Sequence, residues 1–199
     1  MMKKLYIIAV VALLMSGVGR LRAQDHLSVK TNLLYGGYAL TPNLGVEVGL
    51  LPRWTLEMSG AYNPFNLHGS ETDNRKLVHW VAMPEFRYWT CQRFNGHFFG
   101  IHGLYGQYNI GGHNLPLLFG RGSDAYRYEG QVLGGGLSYG YSFLLGRRWN
   151  LELTIGAGVL YLDYDRYESP KCGLLLESGA RKLFFGPTKV GVSLSFLIF

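Results

Sequence analysis

The sequence predicts an all-β fold, an eight-stranded antiparallel transmembrane β-barrel of outer-membrane type, behind a cleavable signal peptide. Three observations predict it. The first is a 13-residue stretch, Trp149 to Tyr161, whose odd positions are apolar throughout while its even positions run Asn, Glu, Thr, Gly, Gly, Leu. A period of two is the signature of a strand with two unlike faces. Aromatic residues end the apolar row and aliphatic ones fill it, as on a strand crossing lipid between two interfaces. At about 3.3 Å per residue and a tilt of roughly 40°, it covers about 30 Å of membrane normal. The second is composition: 28 glycines, 14 tyrosines and 15% aromatics against only 16% charged residues. The third is the spacing of the breaks, where short turns alternate with long polar segments.

The chain opens with Lys3 and Lys4, an eleven-residue apolar run from Leu5 to Met15, and small residues up to Ala23. Such a run is too short to span a bilayer and reads as a signal peptide over residues 1–23, with the barrel domain over 24–199. The leader holds four of the 19 basic residues and none of the 13 acidic ones, so the net charge of +6 falls to +2 in the mature domain. The basic balance therefore carries no argument for a nucleic-acid partner.

Strand one is expected from Leu27 to Gly37, and strand two from Leu44 to Leu50 after the break Thr41-Pro42-Asn43. Strand three follows Leu51-Pro52-Arg53, with Trp54, Leu56, Met58 and Tyr62 opposing Thr55, Glu57, Ser59 and Ala61. Residues 63–76 form a long loop. Strand four covers 77–90, where Pro84 removes a ladder donor and implies a bulge or a weakened pairing. Residues 91–96 turn the chain into strand five, 97–110, whose phase is ambiguous because Phe98 and Phe99 are adjacent. A loop over 111–126, strand six over 127–144, a turn at 145–148 and strand seven from Trp149 come next. The longest loop is expected over 163–186 and strand eight over 187–199. Short turns inside and long loops outside place both mature termini in the periplasm.

The polar faces decide between a membrane barrel and a soluble one with an apolar interior. They are rich in Gly and Ser, which suits the crowded lumen of an eight-stranded barrel. Among these small residues sit the charges Lys30, Glu47, Glu57, Glu85, Arg87, Glu152 and Lys189, expected to pair inside the lumen. Trp54, Tyr62, Tyr139, Phe143, Trp149 and Tyr161 are the expected interfacial aromatics. Phe119, Arg121, Tyr126, Arg127, Tyr167, Arg181 and Lys182 are the expected contacts on exposed loops. Cys91 beside a turn and Cys172 in a loop fall at opposite ends of the apolar band, too far apart for a disulfide.

No nucleophile elbow, calcium loop or phosphate-binding pattern surrounds His79, His97, His102, His113, Ser138, Asp163, Asp165 or the glycines at 134–136. His97 and His102, five apart, face opposite sides of a strand and do not share a metal. A protein without catalytic residues, cofactor or metal is expected, with outer-membrane lipid around it and a partner at loops 63–76, 111–126 and 163–186. A lipid-modifying enzyme and a small pore are the alternatives.

The segments KTNLLY at 30–35, TPNLGVE at 41–47, PEFRYW at 84–89, FNGHFFGIH at 94–102, RRWNLE at 147–152, DYDRYE at 163–168 and FGPTK at 185–189 resemble the domain of unknown function 3575 family. The resemblance covers the mature chain and implies an outer-membrane barrel of Bacteroidota with no catalytic motif to carry over. It also implies kinship with proteins that accompany fimbrial or other surface-appendage systems. Phe199 resembles the terminal aromatic read by the barrel-assembly machinery, although it is out of phase with the row Val190, Val192, Leu194, Phe196, Ile198.

Overall fold

A computed structural model describes residues 27–65, 68–69, 74–169 and 173–198. The expected leader, Cys172 and Phe199 lie outside them. Eight long strands form one antiparallel sheet: β1 (Leu27–Asn32), β2 (Asn43–Leu51), β3 (Trp54–Asn63), β4 (Asn74–Trp89), β5 (Gly96–Gly111), β6 (Tyr126–Leu144), β7 (Trp149–Glu168) and β8 (Leu175–Ile198). Each pairs with its sequence neighbours, and β1 also pairs with β8, so that Leu27 faces Ile198 and Asn32 faces Ser193. The pairing cycle is complete and no long strand keeps a free edge. A two-residue strand, His68–Gly69, adds to the start of β4. The two described ends lie at the same end of the ring as the short turns after β2, β4 and β6. No helix is long and apolar enough to cross a membrane, which has no bearing on strands.

Two boundaries differ from expectation. The first strand stops at Asn32 instead of continuing to Gly37, and Leu33–Ala39 forms a short helix, α1. Two asparagines make the break. Asn43 accepts from Asn32 N through Oδ1 at 2.6 Å and donates through Nδ2 to Asn32 O at 2.9 Å, closing the ladder between β1 and β2. Asn32 Oδ1 then accepts from Leu34 N at 3.1 Å and caps the helix.

The long loop expected over 163–186 is instead the end of a hairpin. β7 and β8 stay paired to Tyr167 and Leu175, with Asp163 opposite Arg181 and Arg166 opposite Glu177. Polar residues stand on both faces there, so the alternation that marks a strand disappears from the sequence although the backbone remains extended. Asp165 Oδ1 holds the irregular segment by accepting from Ser178 Oγ at 2.9 Å and Gly179 N at 2.7 Å.

Pro84 interrupts β4 without shifting it. Ala82 pairs with Tyr105 and Glu85 with His102 in one unbroken register, and the β4–β5 ladder lapses only at Met83 and Pro84 opposite Leu104 and Gly103. The phase of β5 is settled by volume. Phe98 points inward and is fully buried, Phe99 points outward, and Phe98 faces Gly140 on β6, where a Cβ would lie 2.3 Å from the phenyl ring.

Candidate functional site

The inner face of the ring is built in three layers. At the turn end Trp89, Phe94, Phe98 and Leu197 pack into an apolar floor. Phe94 comes from the turn after β4 and takes a left-handed backbone (φ 65°), which a bulky side chain adopts at a steric cost. Its carbonyl accepts from Ser142 Oγ at 3.2 Å and from Asn150 Nδ2 at 2.7 Å, so two strands on the far side hold the turn folded in.

The middle layer is ionic. Register alone sets three glutamates side by side on adjacent strands, since Glu47 faces Glu57 and Glu57 faces Glu85. Like charges directly opposite one another are unfavourable, and three cations offset them. Arg87 lies two residues along β4 from Glu85 on the same face. It donates through Nε and Nη2 to Glu85 Oε2 at 3.0 and 2.8 Å and through Nη1 to Glu47 Oε2 at 3.0 Å, and it also pairs with Glu57 and Glu152. Lys30 Nζ reaches Glu47 at 2.5 Å, Glu152 at 2.9 Å and Glu57 at 3.1 Å. Lys189 pairs with Glu85 and stands 3.6 Å from Glu57.

All seven expected interior charges thus converge from six strands into one network, and the side chains of all but Lys189 are nearly sealed from solvent. Remaining carboxylate oxygens accept from hydroxyls: Thr55 on Glu47 at 2.5 Å, Thr154 on Glu152 at 3.2 Å, and Ser138 on Glu85. Buried charges persist only when paired and hydrogen-bonded in this way. Glycine supplies the room. At Gly100 a Cβ would sit 2.3 Å from Glu85 Oε1 and 2.5 Å from Ser138 Oγ. Trp89 ties the ionic layer to the floor, donating to Thr55 Oγ1 at 2.9 Å, and the Arg87 guanidinium lies 4.4 Å over the Phe98 ring.

The third layer closes the loop end. Tyr108, Tyr128, Leu160 and Leu162 form a second apolar cluster. Phe119, from the segment between β5 and β6, stacks on Tyr128 at 4.0 Å and meets Tyr164 edge-on at 5.3 Å. This corrects the expectation for Phe119, which turns into the ring rather than out toward a partner. Arg121 is exposed on that loop. Tyr126, Arg127, Tyr167, Arg181 and Lys182 belong to the extended strands and not to loops. Arg127 stands 4.3 Å over Tyr167 and Arg166 5.1 Å over Tyr126, two cation–π contacts that join β6 to β7.

The outer face is apolar along the length of the ionic and floor layers. Leu56, Met58, Ile101, Leu133, Leu137, Leu153, Ile155 and Phe185 are exposed there, Leu137 at 67% and Ile155 at 61%. Aromatic residues border this band. Near the turns Trp54 stacks on Phe86 at 4.8 Å, Trp149 meets Phe196 at 4.9 Å, Tyr139 meets Phe99 at 5.4 Å and Phe143 meets Tyr141 at 4.5 Å. Toward the loops stand Tyr62, Tyr161 and the pair Trp80–Tyr105. Beyond these the outer face turns polar with Gln107, Asn109, Glu129, Gln131 and Asp163.

Sequence reasoning missed Phe94, Phe98 and Tyr108 as interior residues. For Phe98 the glycine opposite it was a usable signal, whereas nothing in the sequence marks the inward turn of Phe94. Ser138 and His102 share the interior without forming a nucleophile and base pair: Ser138 donates to Glu85, and His102 Nε2 bonds Thr188 Oγ1 at 2.8 Å. His97 points outward onto the Tyr139 hydroxyl at 2.7 Å. Among the described residues no three His, Cys, Asp or Glu side chains converge as metal ligands. Cys91 is exposed beside its turn.

A family model described as a protein of unknown function (DUF3575) matches residues 7–198. No curated protein and no solved structure matches the chain.

Proposed function

The chain belongs to the family of proteins of unknown function DUF3575, and from that premise we propose that it is a non-enzymatic outer-membrane β-barrel that presents its loop end to a partner at the cell surface. The observation that carries this reading is the inversion of the usual order of polarity: a continuous apolar belt faces outward while seven charges are buried within. In water such a belt would be a large aggregation-prone patch. In a bilayer it is the lipid-facing surface, and the two aromatic zones are its interfacial girdles. The closed pairing satisfies the backbone inside hydrocarbon.

The ionic layer and the apolar floor obstruct the lumen, which supports a scaffold over a conducting pore. With a rigid wall and an obstructed lumen, recognition belongs to the loop end. That end carries α1, the 112–125 segment with exposed Arg121, and the upper β7–β8 hairpin with exposed Arg181 and its tyrosines and acids. A surface-appendage component is the partner class that the family resemblance suggests.

The experiment is replacement of residues 112–117 by a Gly-Ser linker of equal length, which leaves Phe119 in place, with folding followed by the heat-dependent gel mobility of barrels. The expected result is normal folding with loss of surface assembly or partner capture from intact cells. Unchanged assembly and capture, repeated with the 173–180 hairpin tip replaced, would contradict the partner-binding reading.

A further inference from the structure

The third interior layer lines a partly open apolar cavity that the scaffold reading leaves unused. Leu77, Val81, Leu104, Ile110, Leu118 and Phe119, with Val132, Leu160 and Leu162 opposite, line a cavity of about 230 Å³ at the loop end of the lumen. It holds on the order of eight water-sized groups at about 30 Å³ each. Its lining is almost wholly hydrocarbon, so water gains few hydrogen bonds there. His79, Trp80 and Gln107 also border it, and Tyr108 brings a hydroxyl. Tyr108 is about nine-tenths buried, lines the cavity, and its hydroxyl has no hydrogen-bond partner. A buried hydroxyl without a partner costs roughly 1–3 kcal/mol, and a ligand oxygen that accepts from it removes that cost.

The wall beside the cavity is weakened at one place. The β4–β5 ladder lapses at Met83 and Pro84 opposite Leu104 and Gly103. Leu104 lines the cavity on the inner side of this lapse, while Pro84 faces the apolar belt on the outer side. Pro84 has no N–H to pair, and its ring lies 3.6 Å from where a Cβ on Gly103 would stand.

We propose that this cavity binds one aliphatic chain whose head carries an acceptor oxygen, a free fatty acid or the acyl chain of a membrane lipid, with the Tyr108 hydroxyl donating to that oxygen. The inference rests on the membrane reading above. An unbranched chain fits an apolar space between Phe119 and the β4–β5 wall.

The test uses the full chain folded in liposomes and dodecanoic acid bearing a terminal diazirine, photolysed and mapped by peptide mass spectrometry. The expected result is saturable adducts on interior residues such as Leu104, Leu118, Phe119 and Leu160, competed by unlabelled dodecanoate. Val132→Trp, which fills the cavity, reduces interior adducts at least tenfold while adducts on outward Leu137 and Ile155 persist. Tyr108→Phe keeps the packing and raises the half-saturating concentration roughly threefold to tenfold, the worth of one hydrogen bond. If Val132→Trp fails to fold, Phe119→Ala, which enlarges the cavity, shifts preference to longer acids.

A phosphatidylcholine with the diazirine in its acyl chain separates the two sources. Interior adducts from it identify membrane lipid; interior adducts from the free acid alone identify the fatty acid. Interior adducts that are missing with both probes, or that do not saturate and ignore Val132→Trp, would overturn the proposal. Loss of the outward adducts as well would instead overturn the membrane reading.

Discussion

Arg87 Nη1 and Glu47 Oε2 meet at 3.0 Å inside the ring although 40 residues and an intervening strand separate them. The contact passes in front of β3, whose Glu57 joins the same guanidinium, so one arginine bridges a row of carboxylates that no local pairing could. Replacing it isolates them. Arg87→Met is expected to destabilise the fold by about 3–5 kcal/mol, the cost of leaving buried charges unpaired. Arg87→Lys should recover only part of that, since a lysine cannot fork between four carboxylates. Urea unfolding in a detergent or bilayer, followed by tryptophan fluorescence, measures both.

Gly100 serves the same network by having no side chain. Gly100→Val places a Cβ where Glu85 Oε1 and Ser138 Oγ now lie, and overpacking of this kind costs about 1–3 kcal/mol. Gly146, with nothing within 4 Å of an added Cβ, should accept alanine with no measurable change. The difference between the two variants in unfolding free energy reads the packing of the ionic layer directly.

Depth along the outer face offers an independent check. Leu137→Arg puts a charge in the middle of the apolar belt and is expected to cost about 2–4 kcal/mol in a bilayer, whereas Gln131→Arg, beyond the girdle, should cost about 0–1 kcal/mol. Equal effects at the two sites would mean that both face water.

The strands that cross the apolar belt were legible because their two faces meet unlike surroundings. Trp149 to Val159 alternates apolar with polar or small residues, and Lys30, Glu47, Glu57, Glu85, Arg87, Glu152 and Lys189 all fall on the inward face of their strands. Their mutual contacts were not legible, because pairing across β1, β4 and β7 depends on closure of the sheet. Legibility also failed where both faces are polar, as at Asp163–Glu168 and Glu177–Lys182, which continue as a hairpin. At Asn32 a side-chain cap overrode the alternation of the following LLYGGY. Phe94 and Phe119 fill the two ends of the lumen from turn and loop, where no periodicity exists to reveal which way a side chain points.

In the proposed setting the outer face between the aromatic zones lies in lipid with the loops outside the cell. This placement is tested most directly by single cysteines at Leu137 and Arg121, in a chain whose Cys91 and Cys172 are serine, exposed on intact cells to a membrane-impermeant maleimide. Arg121→Cys is expected to be labelled fully and Leu137→Cys to stay unlabelled until the protein is unfolded. Labelling of Leu137→Cys as readily as Arg121→Cys, or labelling of Arg121→Cys only after the cells are broken, would contradict that placement.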